Sequence, residues 1–283
     1  MIKKEEGIFY TWPQMVQHYR GNLERTYHRR FNINKWVNLR INPLEPSDLV
    51  TILGSTGIGK TFIAQSLCMA TKQPIMFIEL EISKALLTKR YLGMLNGMSP
   101  WHIERMMVHG EDFAHEGLEH VVFLNITSVT PEIIRVEIDN CEKELKVRPA
   151  IVIIDYFQLM GCGGGNRYES ASYAAEKLRV IARQKDLIII ALSQISRGAS
   201  RREDGEVDLF DAKESGSIEN SSSLVLSIFK KPKKKNSFID ALDNNAEEDD
   251  PTAYVKVLKY SHGRAGYIAT VELDWEKMEI RQI

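Results

Sequence analysis

Apolar residues fall into short unbroken runs separated by longer amphipathic stretches. The runs are Leu49–Leu53, Ile75–Ile78, Val121–Leu124, Ile151–Ile154, Leu187–Leu192 and Leu224–Phe229. Most are too continuously apolar to have a wet face, so they predict strands buried on both sides. The segments between them have helical spacing, and this alternation of β and α segments predicts an α/β fold with a mainly parallel central sheet flanked by helices. One helix is well marked. Thr130 is placed to cap it, Pro131 takes its first position, and apolar residues follow at Ile134, Ile138 and Leu145. Ahead of the first run, residues 12–30 carry Trp12, Met15, Val16, Tyr19 and Leu23 at helical spacing on a polar, basic background, predicting an amphipathic N-terminal helix. Beyond Phe229 the texture changes. A lysine-rich run over 230–235 and an acidic tract around 240–250 read as a solvated loop. Tyr254–Tyr260, Gly266–Leu273 and Met278–Arg281 then predict strands added to the sheet edge, antiparallel at the end. The organisation that follows is a helical extension over residues 1–31 and one α/β domain over residues 32–283.

Composition narrows the setting. A chain of 283 residues can bury the core of one large α/β domain. A net charge of −1 means that any nucleic-acid contact must come from local clusters of Lys and Arg. Cys68, Cys141 and Cys162 have neither metal-site spacing nor the even count of a disulfide framework, which predicts a reducing cytoplasm. No apolar run approaches the length of a membrane span, and the opening residues lack the apolar run of a signal peptide. The expected protein is cytoplasmic, with no membrane partner.

Chemistry concentrates at the ends of the predicted strands. Gly54, Ser55, Thr56, Gly57, Ile58, Gly59, Lys60 and Thr61 fit the pattern G-x-x-x-x-G-K-[ST], between a strand and a helix. Such a loop folds its backbone N–H groups around phosphates, while Lys60 reaches the β and γ phosphates and Thr61 takes a place on Mg²⁺. The expected ligand is a nucleoside triphosphate, with ATP preferred. Asp155 ends the buried run Ile151–Ile154, at the sheet edge where ligands of open α/β folds collect, and is placed to hold Mg²⁺ through water. The residue after it is Tyr156, so the group that activates water must come from elsewhere. Glu81, with Glu79 as runner-up, ends the second strand and is the candidate; the expectation is that this strand lies next to the P-loop strand. Gln194, after the fifth strand, is placed to sense the γ-phosphate. Two loops at the same sheet edge, Gly161–Arg167 and Ile195–Asp211, bring glycines together with Arg167, Arg197, Arg201 and Arg202, a composition suited to phosphodiester contact. Each of these residues also has a plainer reading as a solvated turn or surface-loop residue.

The runs GSTGIGKT, FIELEIS, IVIIDYFQLM, ALSQISR and KESGSIENSSSLVLSI stand in that order and resemble the RecA-like motor domain of DnaB-type replicative helicases, from about Asn32 to the C-terminus. The resemblance implies ATP hydrolysis with Mg²⁺ in a homo-oligomer, expected to be a hexamer, that closes around single-stranded DNA. It implies Lys60 and Thr61 on phosphate and metal, Glu81 activating water, Asp155 assisting the metal, and Gln194 sensing the γ-phosphate. It sets the loops Gly161–Tyr168 and Gly198–Asp211 towards the ring's central channel. The N-terminal helix is similar to the linker helix that docks on the next subunit, with Trp12, Met15 and Tyr19 as anchors; packing on its own domain is the alternative.

Two departures stand against that pattern. The chain has no room for the helical domain that precedes the linker in bacterial DnaB, which puts contacts with primase or a loader in question. Near the C-terminus the family's Lys-x-Arg-x-Gly reads Lys259, Tyr260, Ser261, His262, Gly263, so Ser261 stands where Arg is expected. Arg264 from a shifted loop, Lys259 alone, or weak hydrolysis are the three outcomes open. Beside the helicase reading stand a nucleotide-controlled assembly ATPase with little unwinding, and a recombinase-like filament former.

Overall fold

The computed structural model describes residues 11–160, 167–195, 205–211, 215–231 and 250–283. Most of the lysine-rich run and of the acidic tract lies outside these residues, as does Cys162. The apolar runs become strands β1 (Leu49–Gly54), β2 (Ile75–Glu79), β3 (Val121–Asn125), β4 (Ile151–Asp155), β5 (Ile188–Gln194) and β6 (Leu224–Phe229). They join β7 (Thr252–Tyr260), β8 (Ile268–Asp274) and β9 (Glu279–Gln282) in one nine-stranded sheet of order β3-β2-β4-β5-β1-β6-β7-β8-β9. The first six pair in parallel. The last three pair antiparallel beyond β6, as the edge pattern predicts.

Both faces of the parallel strands are dry because successive side chains feed two separate cores. Val50, Ile52, Ile151 and Ile153 enter one core with Phe62, Leu67, Leu87 and Tyr91. Leu49, Leu53, Val152 and Ile154 enter the other with Ile134, Ile138, Leu178 and Ile181. The first group of partners comes from helices α2 (Lys60–Met69) and α3 (Lys84–Asn96), the second from α5 (Pro131–Leu145) and α6 (Arg167–Lys185). The edge strand β3 departs from the dry rule, for Phe123 is 39% exposed.

Local signals fix the helix ends. Ser83 and Ser99 cap α3 and α4 (Pro100–His109), and both helices close on a left-handed glycine, Gly97 and Gly110. Thr130 caps α5 by accepting the Ile133 N–H, with Pro131 in the first turn. Leu145 does not join the buried stripe of α5; it is 57% exposed, and Cys141 takes the position one turn after Ile138. The N-terminal helix α1 runs Trp12–Thr26 and gives way to a tight turn at Tyr27–Arg29. Its apolar stripe is not packed, since Trp12 is 79% and Tyr19 60% exposed. Arg29 and Arg30 tie the following turn to Asp186 and Glu45. No helix among the described residues is long and apolar enough to cross a membrane.

Candidate active site

The parallel strands end along one edge of the sheet, and their last residues build the site. β1 opens into the loop from Gly54 to Gly59, and α2 begins at Lys60. Gly59 caps α2 at φ +104, a left-handed conformation that a side chain disfavours. At Gly54 the reason is space, because a Cβ would lie 2.9 Å from Ile58 Cγ2 and 3.2 Å from the Ile228 carbonyl. The loop therefore aims the first N–H groups of α2 into a cleft of about 310 Å³.

Thr56, Gly57, Lys60, Thr61, Glu81, Arg90, Asp155, Gln194 and Trp275 line this cleft. Lys60 is nearly buried, and its Nζ donates to the carbonyls of Gly54 at 3.0 Å and Ser55 at 2.7 Å. Burial lowers its pKa, opposed by the charges of Asp155 and Glu81. Asp155 is 1% exposed, and burial next to Glu79 pushes its carboxyl up to about 7, although the Thr61 hydroxyl donates to it. Its Oδ2 has no hydrogen-bond partner. An orphaned carboxylate oxygen and a neighbouring hydroxyl are hard oxygen donors, and they stand with the P-loop lysine beside a phosphate cradle. The residues present fit a magnesium ion shared with phosphate.

β2 does not lie next to β1; β4 and β5 stand between them. The order of a sheet follows from crossover geometry rather than from the residues of one strand, and the expectation of adjacency fails there. Glu81 reaches the cleft all the same, because the chain turns over the end of β4 after Glu79. Glu79 pairs in register with Asp155 and is fully buried, and its Oε1 accepts the N–H groups of Glu81 at 2.8 Å and Ile82 at 2.9 Å. Burial raises its pKa. Gln194 pairs with Gly54 at the end of β5. Gln158 holds that end in place, its amide oxygen accepting the Gln194 N–H and its amide nitrogen donating to the Ser193 hydroxyl.

Three contributors escaped the sequence reading. Arg90 enters the cleft from α3, at a spacing from Glu81 that carries no recognised pattern. Gln158 was legible only as part of the DYFQLM run. Trp275 comes from the turn after β8 and stacks on Phe62 at a centroid distance of 4.7 Å, against Gly59, with 43% of its surface exposed. Nothing in the sequence pairs it with a loop so far away along the chain. Lys259 and Arg264 do not line this cleft. Lys259 donates to the Glu219 carbonyl, and Arg264 is exposed. His262 hydrogen-bonds buried Asp48 at 3.0 Å. Arg197, Arg201 and Arg202 lie outside the described residues, as does the side chain of Arg167 at the start of α6.

A parallel sheet with a phosphate loop after β1, an acid after β4 and a polar strand end after β5 defines a RecA-like P-loop protein. The chain belongs to the DnaB-like helicase C-terminal domain family, whose model matches residues 35–281. It is 30% identical over 248 residues to a probable replicative DNA helicase of Trieres chinensis, covering 82% of this chain and 52% of that protein. Its fold is that of a solved ATPase domain, at TM-score 0.75 and 19% identity over 99% of this chain and 100% of that one. A DnaB-like replicative helicase studied with primase is also similar, at TM-score 0.67 and 20% identity, over 83% of this chain and 59% of that chain. The chain spans about half the length of the curated relatives it matches.

Proposed function

We propose that this chain is the ATP-hydrolysing motor of a DNA helicase that tracks along single-stranded DNA as a ring, in the cytoplasm, during replication. The observation that carries the reading is the single cleft into which the P-loop, Asp155, Glu81 and Gln194 all open. In it the loop N–H groups and Lys60 hold the β and γ phosphates, and Arg90 adds a second cation. Thr61 and Asp155 hold Mg²⁺, which when bound neutralises phosphate charge. Glu81 accepts the proton of the attacking water. Gln194, the last residue of β5, hydrogen-bonds the γ-phosphate and passes its loss directly to the loop after Ile195, where Arg197, Arg201 and Arg202, with Arg167 at the start of α6, bind the DNA backbone. The open face of Trp275 is the platform for the base of the nucleotide.

The exposed stripe of α1 supports a ring, because a helix with Trp12, Met15 and Tyr19 in water lowers its free energy by covering them. We assign its cover to a neighbouring copy, on the apolar groove beside α3 lined by Leu87, Leu92, Leu118 and Phe123. Residues 1–31 then act as a linking extension, and a hexamer is the expected assembly. Primase or a loader is the expected replication partner of the full assembly.

The test is ATP turnover by purified protein with and without single-stranded DNA, beside unwinding of a forked duplex. The reading expects turnover that rises with added strand and falls as salt rises, since phosphate contacts release counterions. Absence of turnover under both conditions removes it. One observation favours a second reading, an assembly ATPase with little unwinding: Ser261 stands where the resemblance expects an arginine. ATP turnover without any unwinding would select it.

A further inference from the structure

The two glutamates at the end of β2 stand in opposite surroundings. Glu81 is exposed and lines the cleft. Glu79 is 0% exposed and does not line it. One oxygen of Glu79 takes the N–H groups of both Glu81 and Ile82, at 2.8 and 2.9 Å, where the chain passes into the cleft. The rest of the turn is tied down from both sides, because Leu80 N–H donates to the Asp155 carbonyl at 2.9 Å and the Asn125 amide donates to the Ile82 carbonyl at 3.0 Å. A buried carboxyl oxygen accepting two backbone N–H groups acts as a peg around which the backbone bends.

We propose that Glu79 is a positioning residue for the hydrolysis step: it sets the backbone of Glu81, so that the Glu81 carboxylate is held over the phosphates without ordering from solution at each turnover. Glu79 does not touch substrate in this account. The proposal rests on the reading of Glu81 as the group that activates water, and its logic is geometric, since misplacement of a reacting group by about 1 Å costs on the order of 100-fold in rate.

The test compares Glu79→Ala, Glu79→Leu, Glu79→Gln and Glu81→Gln at saturating Mg²⁺, by kcat and KM for ATP and by affinity for a non-hydrolysable ATP analogue. Glu81→Gln is expected to lose about 100-fold or more in kcat with analogue affinity kept. Glu79→Ala is expected to lose about 10- to 100-fold in kcat, with KM and analogue affinity within about twofold. Glu79→Leu restores most of the lost volume and covers the case in which the alanine variant fails to fold. Glu79→Gln keeps an acceptor oxygen for both N–H groups and is expected to recover kcat to within about threefold. Deuterium exchange gives the readout that a general loosening would not: amides at 81 and 82 exchange faster in Glu79→Ala, while those of 75–78 stay protected. The proposal is overturned if Glu79→Ala and Glu79→Leu keep kcat while Glu81→Gln loses it. It is equally overturned if Glu79→Gln is as inactive as the alanine variant, which would mark Glu79 itself as the base. Full turnover in Glu81→Gln would remove the base assignment together with the peg, a result distinct from either of the others.

Discussion

The nucleotide cleft and the N-terminal helix differ in how much of their environment the chain supplies. Around the cleft the fold gives the central charged groups their settings: Lys60 lies against loop carbonyls, Asp155 beside Thr61 and Glu79, and Glu81 on the Glu79 peg. Along α1 the large apolar side chains Trp12, Met15 and Tyr19 stand in water. On the proposed reading, phosphate is bound within one chain, whereas the steps that follow binding draw on surfaces that a single chain leaves exposed. Lys259 and Arg264 lie outside the chain's own cleft.

The sharpest way to break the first half of the comparison is Lys60→Ala, which is expected to reduce ATP turnover by about 10²–10³-fold at every protein concentration. A steady-state phosphate-release assay reads it. Next in size is the energetic cost of the cleft. The Asp155 carboxyl titrates at about 7 when folded, above its unfolded value of about 4, so the folded protein holds the proton more tightly and loses stability as pH rises between those values. Asp155→Asn removes that loss. It is expected to stabilise the nucleotide-free protein by about 2–4 kcal/mol at a pH of about 8 and by almost nothing at a pH of about 4, measured by urea unfolding.

The second half is tested by Trp12→Ala combined with Tyr19→Ala. Because both residues are exposed, the unfolding free energy is expected to move by less than about 0.5 kcal/mol. Turnover per subunit at low protein concentration is expected to fall about tenfold and to recover as concentration rises, the behaviour of a weakened interface. Nucleotide affinity unchanged beside lost assembly would separate the two regions cleanly. The smallest effect is expected at Leu145→Ala, below about 0.5 kcal/mol, against about 2–5 kcal/mol for Ile138→Ala in the core of the same helix.

Much of this was legible in the residues, and for identifiable reasons. The parallel strands announced themselves because a strand dry on both faces must be apolar at every position, as Ile151–Ile154 are. The phosphate loop was legible because its geometry depends on glycines at fixed spacing, and Asp155 because it ends a buried strand. What failed to show was whatever depends on elements meeting across the fold. The separation of β2 from β1, the approach of Trp275 to Gly59 and of Arg90 to the cleft are set by topology. Leu145 kept the helical period yet fell in the last turn of α5, where it is left exposed. Glu79 and Glu81 look alike in sequence; only the direction each takes at the strand end separates a peg inside from a carboxylate outside.

Turnover measured against protein concentration, with particle mass recorded alongside, tests the central claim most directly. The account predicts that nucleotide binds at all concentrations and that ATP turnover per subunit climbs in step with assembly and climbs further with single-stranded DNA. A constant turnover per subunit from dilute monomer upward, or no nucleotide binding at any concentration in the presence of magnesium, would contradict it.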